Sequence, residues 1–195
     1  MATNKDTENN TPSAPTPADN DIAKLTEVTE QDLAEAIVDE YGAKYSKDGK
    51  RLLKGPRYAS LYNIKKGTKI IGSSAFSGYP RLTSITIPPS VTTIGDYAFY
   101  ACKGLTSIAI PPSITTIGDS AFSNCESLTS ITIPPSVTSI GGWAFSHCKS
   151  LTSITISKSV TAIGRYAFSF CPSLNDATKS EISRRFGDSV FIRPW

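Results

Sequence analysis

Apolar residues recur with a period of 23 positions through the second half of the chain, in four uninterrupted copies of one unit over residues 82–104, 105–127, 128–150 and 151–173. In the first copy the apolar positions are Leu82, Ile85, Ile87, Val91, Ile94, Ala98, Phe99 and Cys102. A fixed period of this length is typical of a solenoid, in which each unit buries its apolar side against its neighbours. We therefore predict that these positions point inward and that each unit, here called a rung, stacks on the next.

Each rung predicts two short strands and one turn. Residues 82–87 alternate apolar and polar side chains, which favours a strand, and Pro88 ends it because proline cannot donate to a strand ladder. Residues 91–94 form a second short extended run that stops at Gly95, where we expect a positive φ or a close backbone approach. Residues 96–101 are too few for a stable helix and predict a single helical turn.

A divergent copy of the repeat, at residues 59–81, precedes the four regular ones, with Ala59 and Tyr79 in the positions of leucine and cysteine. Residues 59–173 therefore predict a solenoid of five rungs, above the three or so that such a stack needs for stability.

Residues 24–58 predict an N-terminal cap made of a helix and a hairpin. Thr29 is a suitable N-cap for a helix over residues 29–41, on which Leu33 and Ile37 share a face, and Gly42 ends it. Residues 47–50 predict the turn of a following hairpin.

Residues 174–195 predict a C-terminal cap, because an open end of the stack would expose core and sheet edges. Residues 178–181 are a capping-box sequence that predicts the start of a short helix ending at Gly187, and residues 190–192 predict a last strand. Residues 1–23, polar and rich in proline, predict a disordered tail.

The repeat Leu-x-x-Ile-x-Ile-Pro-Pro-Ser-Val-Thr-x-Ile-Gly-x-x-Ala-Phe-x-x-Cys resembles the BspA-like class of leucine-rich repeat over residues 59–173. The fold class expected is therefore an α/β-type solenoid, a leucine-rich repeat stack of about five rungs with short strands and single helical turns, capped at both ends. The resemblance also implies a surface-exposed bacterial or parasite protein that binds host or matrix proteins.

An exposed stripe just before the Ala-Phe of each rung is the first candidate binding surface. Tyrosine and tryptophan at a protein surface are typical of interfaces. The alternative is that these rings only cover the core beneath them. We call this stripe the aromatic ridge, and its candidate residues are Tyr97, Tyr100, Trp143, His147, Tyr166 and Phe170.

The outward side of the first strand is the second candidate surface. It predicts a flat, uncharged sheet of hydroxyl groups of on the order of 400 Å², about half of what each partner buries in a standard interface, so we expect weak binding by it alone. We call it the hydroxyl face, and its candidate residues are Ser84, Thr86, Ser107, Ser130, Thr132, Ser153 and Thr155.

Cys102, Cys125, Cys148 and Cys171 occupy one repeat position and should stack one rung apart. Zinc binding needs ligands that converge from different directions, which an inward ladder does not offer. We therefore predict buried, reduced cysteines, and the sequence predicts no metal site and no cofactor.

A catalytic site has little support in the sequence. His147 is the only histidine, and its neighbour Cys148 should face the opposite way. Asp96 and Asp119 should lie about 5 Å apart on adjacent rungs, a spacing also found in retaining glycosidases. Since the next two rungs do not repeat the acid and a convex ridge offers no substrate pocket, we interpret these aspartates as solvated surface acids of a non-enzymatic protein.

The net charge of +3 hides an asymmetry along the chain. Residues 1–43 carry 10 acidic and 2 basic groups, whereas residues 44–81, the basic block, carry 10 basic groups and 1 acidic group. This block could bind a polyanion, or it could be a solvated cap attracted to the acidic segment before it. No nucleic-acid motif accompanies it, so we expect no nucleic-acid partner.

The chain shows no apolar stretch of about 18 residues and no leader, so the sequence predicts neither a transmembrane segment nor a signal. A cytoplasmic location and a leader removed beforehand both remain open. The polar, proline-rich start resembles the tether of surface lipoproteins, which favours the cell surface or an outer-membrane lipoprotein.

The function that these observations favour is a non-enzymatic protein–protein interaction or adhesion module. The first alternative is a glycan-binding surface protein that uses Trp143 and Tyr166 as stacking platforms. The least favoured is an ice- or mineral-binding serine and threonine array, because Ala109 interrupts the ladder.

Overall fold

The structure, a computed structural model, describes residues 23–191, in which short strands of successive rungs stack into sheets. Residues 23–26 are helical, and the later helices are α1 (Glu30–Ala34) and α2 (Asp176–Phe186), with a 3₁₀ turn at Asp188–Val190. The strands are β1 (Ile37–Val38), β2 (Lys44–Tyr45), β3 (Arg51–Lys54), β4 (Leu61–Asn63), β5 (Ile70–Ile71), β6 (Ser84–Thr86), β7 (Thr93–Ile94), β8 (Thr116–Ile117), β9 (Ser130–Ile133), β10 (Ser139–Ile140), β11 (Ser153–Ile156) and β12 (Ala162–Ile163).

The second strand of every rung joins one eight-stranded sheet, in the order β1-β2-β3-β5-β7-β8-β10-β12. From β3 onward the strands are parallel, and partners lie 23 residues apart in the rungs, as Ile71 pairs with Ile94 and Ile94 with Ile117. The antiparallel hairpin of β2 and β3 continues this sheet at its N-terminal end, so the cap covers the first rung.

The ladder of the first strands is broken into two separate pairs, β4 with β6 and β9 with β11. Residues 105–110, between these pairs, form no strand. Ala109 replaces the β-branched residue of the neighbouring rungs, and alanine has a lower strand preference than threonine. The first strands therefore do not form one continuous sheet, and the break falls at the rung where the sequence placed the interruption by Ala109.

The segment predicted as a single helical turn is instead a run of successive turns that bond to the next rung. The N–H of Tyr97 donates to Asp119 O at 2.8 Å, and the N–H of Phe99 donates to Ala121 O at 2.8 Å. The residue between them donates within its own rung, as Ala98 N does to Gly95 O at 3.3 Å, and so does the next one, as Tyr100 N does to Tyr97 O at 3.0 Å. A helix would direct its donors along its own axis, whereas these turns direct half of them along the stack.

The glycine that follows the second strand lies where the chains of adjacent rungs approach closely. A Cβ on Gly118 would lie 2.5 Å from Asp96 Oδ1 and 2.7 Å from Asp96 N. Gly118 does not have a positive φ. Of the two reasons predicted for a glycine here, the close approach is confirmed.

The predicted inward positions are confirmed, since the eight apolar residues of the rung at 82–104 are at most 7% exposed. Phe76, Phe99, Phe122, Phe145 and Phe168 form one column at the centre of the core. Adjacent rings lie 5.2 to 5.5 Å apart with interplanar angles of 3 to 6°. One ring of the column lies in each of the five rungs, which are also joined by backbone hydrogen bonds such as Phe99 N to Ala121 O at 2.8 Å.

The N-terminal helix predicted over residues 29–41 is correct at its start and wrong after Ala34. Thr29 is the N-cap, and its hydroxyl accepts the N–H of Asp32 at 3.0 Å. After α1, however, Asp39 Oδ1 accepts the N–H groups of Tyr41 and Ala43 and closes a turn, so β1 pairs with β2. An aspartate side chain that bonds to its own backbone competes with a helix in this way.

The C-terminal cap differs from the prediction at both of its ends. Helix α2 begins at Asp176, before the predicted capping box, because Asn175 is the N-cap and accepts the N–H of Thr178. The predicted strand at 190–192 is wrong within the described residues, where a 3₁₀ turn ends at Val190. The carbonyl of Val190 accepts the N–H of Phe168 at 2.9 Å, so this turn takes the place of a further rung. Ile192 and the predicted tail up to residue 22 lie outside the described residues.

Candidate binding surface

Five of the six residues of the aromatic ridge lie on backbone in the left-handed region, and Tyr100 is the exception. The φ angles of Tyr97, Trp143 and Tyr166 are 56°, 53° and 62°, and those of His147 and Phe170 are 59° and 56°. The cause is the alternation of turns, which directs every second N–H toward the next rung. Left-handed backbone is uncommon for residues other than glycine, asparagine and aspartate, and bulky side chains rarely adopt it.

The structure brings the ridge residues together as three separate pairs rather than one stripe. Tyr97 and Tyr100 meet edge-on with centroids 5.9 Å apart. Ser120 and Ser123 fill the equivalent positions of the next rung, so this pair is separated from the others. On the last two rungs the ring pairs are Trp143 with Tyr166 at 5.1 Å and His147 with Phe170 at 4.3 Å.

Trp143, His147, Tyr166 and Phe170 therefore form a C-terminal aromatic cluster. Trp143 is 42% exposed and Phe170 is 37% exposed, whereas His147 and Tyr166 are half-buried. The guanidinium of Arg165 lies over the Tyr166 ring, 5.3 Å from its centroid. Each pair thus combines one exposed ring with one half-buried ring that packs against it.

The hydroxyl face keeps its predicted exposure but not its continuity. All seven of its candidate residues are exposed. Threonines next to this face donate their hydroxyls to backbone carbonyls of the preceding rung, as Thr152 Oγ1 does to Thr129 O at 3.1 Å. Because Ser107 lies in the rung without a first strand, this face presents two small patches.

Asp96 and Asp119 bond to the backbone of the rung that follows each of them. Asp96 Oδ1 accepts the N–H of Asp119 at 2.8 Å, and Asp119 Oδ1 accepts the N–H of Gly142 at 2.7 Å. Burial raises the pKa of the Asp96 carboxyl. Asp119 is exposed, in keeping with its interpretation as a surface acid, whereas Asp96 is partly buried. The sequence did not predict that both carboxylates also hold adjacent rungs together. Within residues 23–191 no group of three or more His, Cys, Asp or Glu side chains is placed to hold a metal ion.

All four cysteines are free and buried, as predicted. Each thiol also donates to a phenylalanine carbonyl of the preceding rung, as Cys102 Sγ does to Phe76 O at 3.2 Å. Burial raises the pKa of the Cys102 and Cys171 thiols to about 12. Sequence reasoning missed these hydrogen bonds, which make the cysteine column a structural ladder.

The basic block is partly neutralised by acids of the N-terminal cap. Arg51 pairs with Asp32 at 3.1 Å and Lys47 pairs with Glu35 at 2.7 Å. Lys65, Lys66 and Lys69 are exposed.

Two shallow grooves flank the ridge, although the sequence predicted none. One, of about 530 Å³, lies between the N-terminal cap and Tyr97. The other, of about 510 Å³ and here called the C-terminal groove, lies beside the C-terminal aromatic cluster. The residues that line it include His147, Lys149, Phe170, Pro172, Lys179 and Phe191. It depends on how α2 packs against the last rung, which the repeat pattern does not show.

The described part of the chain contains no helix with the length and apolar character needed to cross a membrane.

A model of the BspA-type leucine-rich repeat region matches residues 63–193 as six copies. The chain therefore belongs to the BspA-type leucine-rich repeat family, as the repeat resemblance indicated. No curated protein sequence matches it.

Solved structures of bacterial leucine-rich repeat proteins share this fold. A leucine rich cell surface protein from Faecalibacterium prausnitzii is 33% identical with a TM-score of 0.71, over 80% of this chain and 43% of its own. A leucine-rich repeat protein from Bacteroides ovatus is 36% identical with a TM-score of 0.57, over 71% of this chain and 37% of its own. The pneumococcal vaccine antigen PcpA, 19% identical with a TM-score of 0.65 over 83% of this chain and 48% of its own, shows the fold alone. This chain spans less than half the length of these three structures.

Proposed function

We propose that this chain is a non-enzymatic protein-binding module of a bacterial surface protein, with an adhesive role toward a host or matrix protein. The observation that carries the proposal is the C-terminal aromatic cluster, whose open rings lie on left-handed backbone. The family and the cell-surface description of the Faecalibacterium protein support the location.

The fold itself does not require aromatic residues at these positions. Ser120 and Asn124 occupy them on the preceding rung with φ angles of 53° and 61°. A non-glycine residue in this region costs about 1 kcal/mol or more, and an exposed ring adds apolar surface in contact with water. Because small polar residues adopt the same left-handed backbone on the preceding rung, the rings of Trp143 and Tyr166 point to a role outside folding.

The hydroxyl face is the weaker candidate for the same role. Its side chains remain hydrated and are divided into two patches. A buried aromatic anchor, by contrast, commonly contributes about 2 kcal/mol or more to an interface.

The test is binding of the full chain to a panel of purified matrix proteins by surface plasmon resonance. Trp143 and Tyr166 are both changed to Ser, the residue that the fold already uses at position 120. We expect loss of binding with native circular dichroism, whereas changing Ser107, Ser130 and Thr132 to Ala should weaken it little. The opposite ranking would move the binding site to the hydroxyl face.

Glycan binding is the second candidate, favoured by the pairing of Trp143 with Tyr166 and by Arg165 beside them. A glycan array run beside the matrix-protein panel separates the two functions. The broken hydroxyl ladder argues against an ice-binding array, and absence of thermal hysteresis is the expected result.

A further inference from the structure

The C-terminal groove combines apolar walls with a cationic rim. His147 and Phe170 stack at 4.3 Å on one side, and Phe191 and Pro172 add apolar surface. Its volume of about 510 Å³ is within the range of about 300–1,000 Å³ that ligand sites in proteins occupy.

The two lysines of the groove, Lys149 and Lys179, are only partly neutralised by their ion pairs and can therefore bind an anionic ligand. Lys149 is 58% exposed and pairs with Glu126 at 2.9 Å, but Glu126 also pairs with Lys103 at 3.0 Å, so the three groups together carry a net positive charge. Lys179 is 38% exposed and reaches Asp176 only at 3.7 Å, where the carboxylate is fully exposed. Ion pairs of this kind contribute little and are readily exchanged.

No carboxylate lines this groove among the described residues. We infer that the C-terminal groove binds an acidic peptide segment of a partner protein, with a carboxylate on the lysine rim and an aromatic or aliphatic side chain against Phe170. This inference deepens the proposed function and rests on it, because the proposed function supplies the premise that the partner is a protein. It adds the chemistry of the segment that the partner presents.

A polyanion without apolar groups fits this groove less well. Phosphate or sulfate groups would meet the two lysines but would bury none of the apolar surface that Phe170 still exposes. The exposed lysines of the basic block, Lys65, Lys66 and Lys69, provide a purely cationic surface elsewhere on the molecule. The apolar walls therefore favour the peptide.

The test is an NMR titration of the ¹⁵N-labelled full chain with N-acetyl-Glu-Phe-Glu-amide. We expect saturable shifts at the amides of His147, Lys149, Phe170 and Lys179. N-acetyl-Lys-Phe-Lys-amide and N-acetyl-Glu-Ala-Glu-amide should give much weaker shifts, because each lacks one of the two features that the groove recognises.

Charge reversal gives the matched pair of variants. Lys149→Glu with Lys179→Glu should weaken binding of the acidic peptide on the order of tenfold, since two rim charges change sign. Lys66→Glu with Lys158→Glu makes the same change in net charge at exposed positions outside the groove and should leave binding unchanged.

Equal binding of the lysine peptide, shifts centred on residues 65–69, or no effect of the groove double variant would each overturn the inference. So would shifts at the groove with a heparin oligosaccharide but not with the peptide. The variant with serine at 143 and 166 should still bind the peptide, because neither residue lines the groove. Failure of the groove and failure of the proposed function are therefore distinguishable.

Discussion

Cys125 Sγ donates a hydrogen bond to the backbone carbonyl of Phe99, which lies 3.2 Å away on the preceding rung. The same bond recurs between Cys148 and Phe122 at 3.2 Å. The thiol therefore satisfies a carbonyl at the centre of the stack as well as filling space, and its proton is held where solvent does not reach.

We expect the thiols to be unreactive in the folded protein. A thiol must ionise to react, and burial raises the pKa of Cys125 and Cys148 well above the ordinary value. Titration with a thiol reagent at pH 8 should detect almost none before denaturation and all four afterwards. Two or fewer thiols after denaturation would show that disulfides form.

Stability should fall as the pH rises above 9. The Cys102 and Cys171 thiols have an ordinary pKa of 9.0 and a folded pKa of about 12, so between these values the folded state holds protons that the unfolded state releases. Each such thiol lowers the unfolding free energy by about 1.4 kcal/mol per pH unit there. Urea unfolding at a series of pH values measures this slope.

Two buried tyrosines, Tyr45 of the N-terminal cap and Tyr79 of the first rung, act in the same direction, because burial raises the pKa of each above the ordinary 10.0. Cys102→Ala provides the control. This variant should be less stable at neutral pH, but its unfolding free energy should fall less steeply with pH, because one thiol fewer releases a proton on unfolding. A slope unchanged by this substitution would mean that the thiol is already ionised in the folded state.

Gly118→Ala should destabilise the fold strongly. The new Cβ would lie 2.7 Å from Asp96 N, a backbone atom next to Gly95, whose N–H donates to Ile71 O at 2.9 Å. We expect a loss of about 2 kcal/mol or more in unfolding free energy, measured by urea titration. Gly142→Ala is the matched control, because its nearest neighbour, Arg165 O, would lie at 3.3 Å. A similar loss in both variants would contradict the close-approach argument.

The repeat predicts what every rung shares, and therefore the core. Leu82, Ile94 and Phe99 recur at fixed spacing, and burial follows because each rung can hide them only against its neighbours. The left-handed backbone of the ridge was not predicted, since Tyr97 and Trp143 are types that rarely adopt it. Each rung has two left-handed positions, which in the rung at 82–104 are residues 97 and 101. At the second of them two rungs carry Gly78 and Asn124, residue types that adopt this backbone readily, and this was the available signal.

Features that occur once in the chain were harder to predict. The side chain of Asp39 ends a helical pattern by bonding to its own backbone, a local competition that apolar spacing does not show. The C-terminal groove needs Lys149 from one rung, Phe170 from the next and Lys179 from α2, and only the folded chain brings them together.

The last prediction separates a binding role of the aromatic cluster from a role in covering the core. Trp143→Ser places at position 143 the residue that Ser120 provides on the preceding rung, with the same φ of 53°. If the ring serves binding, its loss should change the unfolding free energy by less than about 1 kcal/mol, because the side chain is 42% exposed and its ring contact is with the surface residue Tyr166.

Phe145→Leu is the contrasting variant, since Phe145 is fully buried in the column of stacked rings. It should cost about 1 to 3 kcal/mol in unfolding free energy, through lost stacking and a change of shape in a close-packed core. Urea titration of both variants decides the matter. If Trp143→Ser were as costly as Phe145→Leu, the tryptophan would be part of the fold, and its exposed face would no longer be evidence for a binding site.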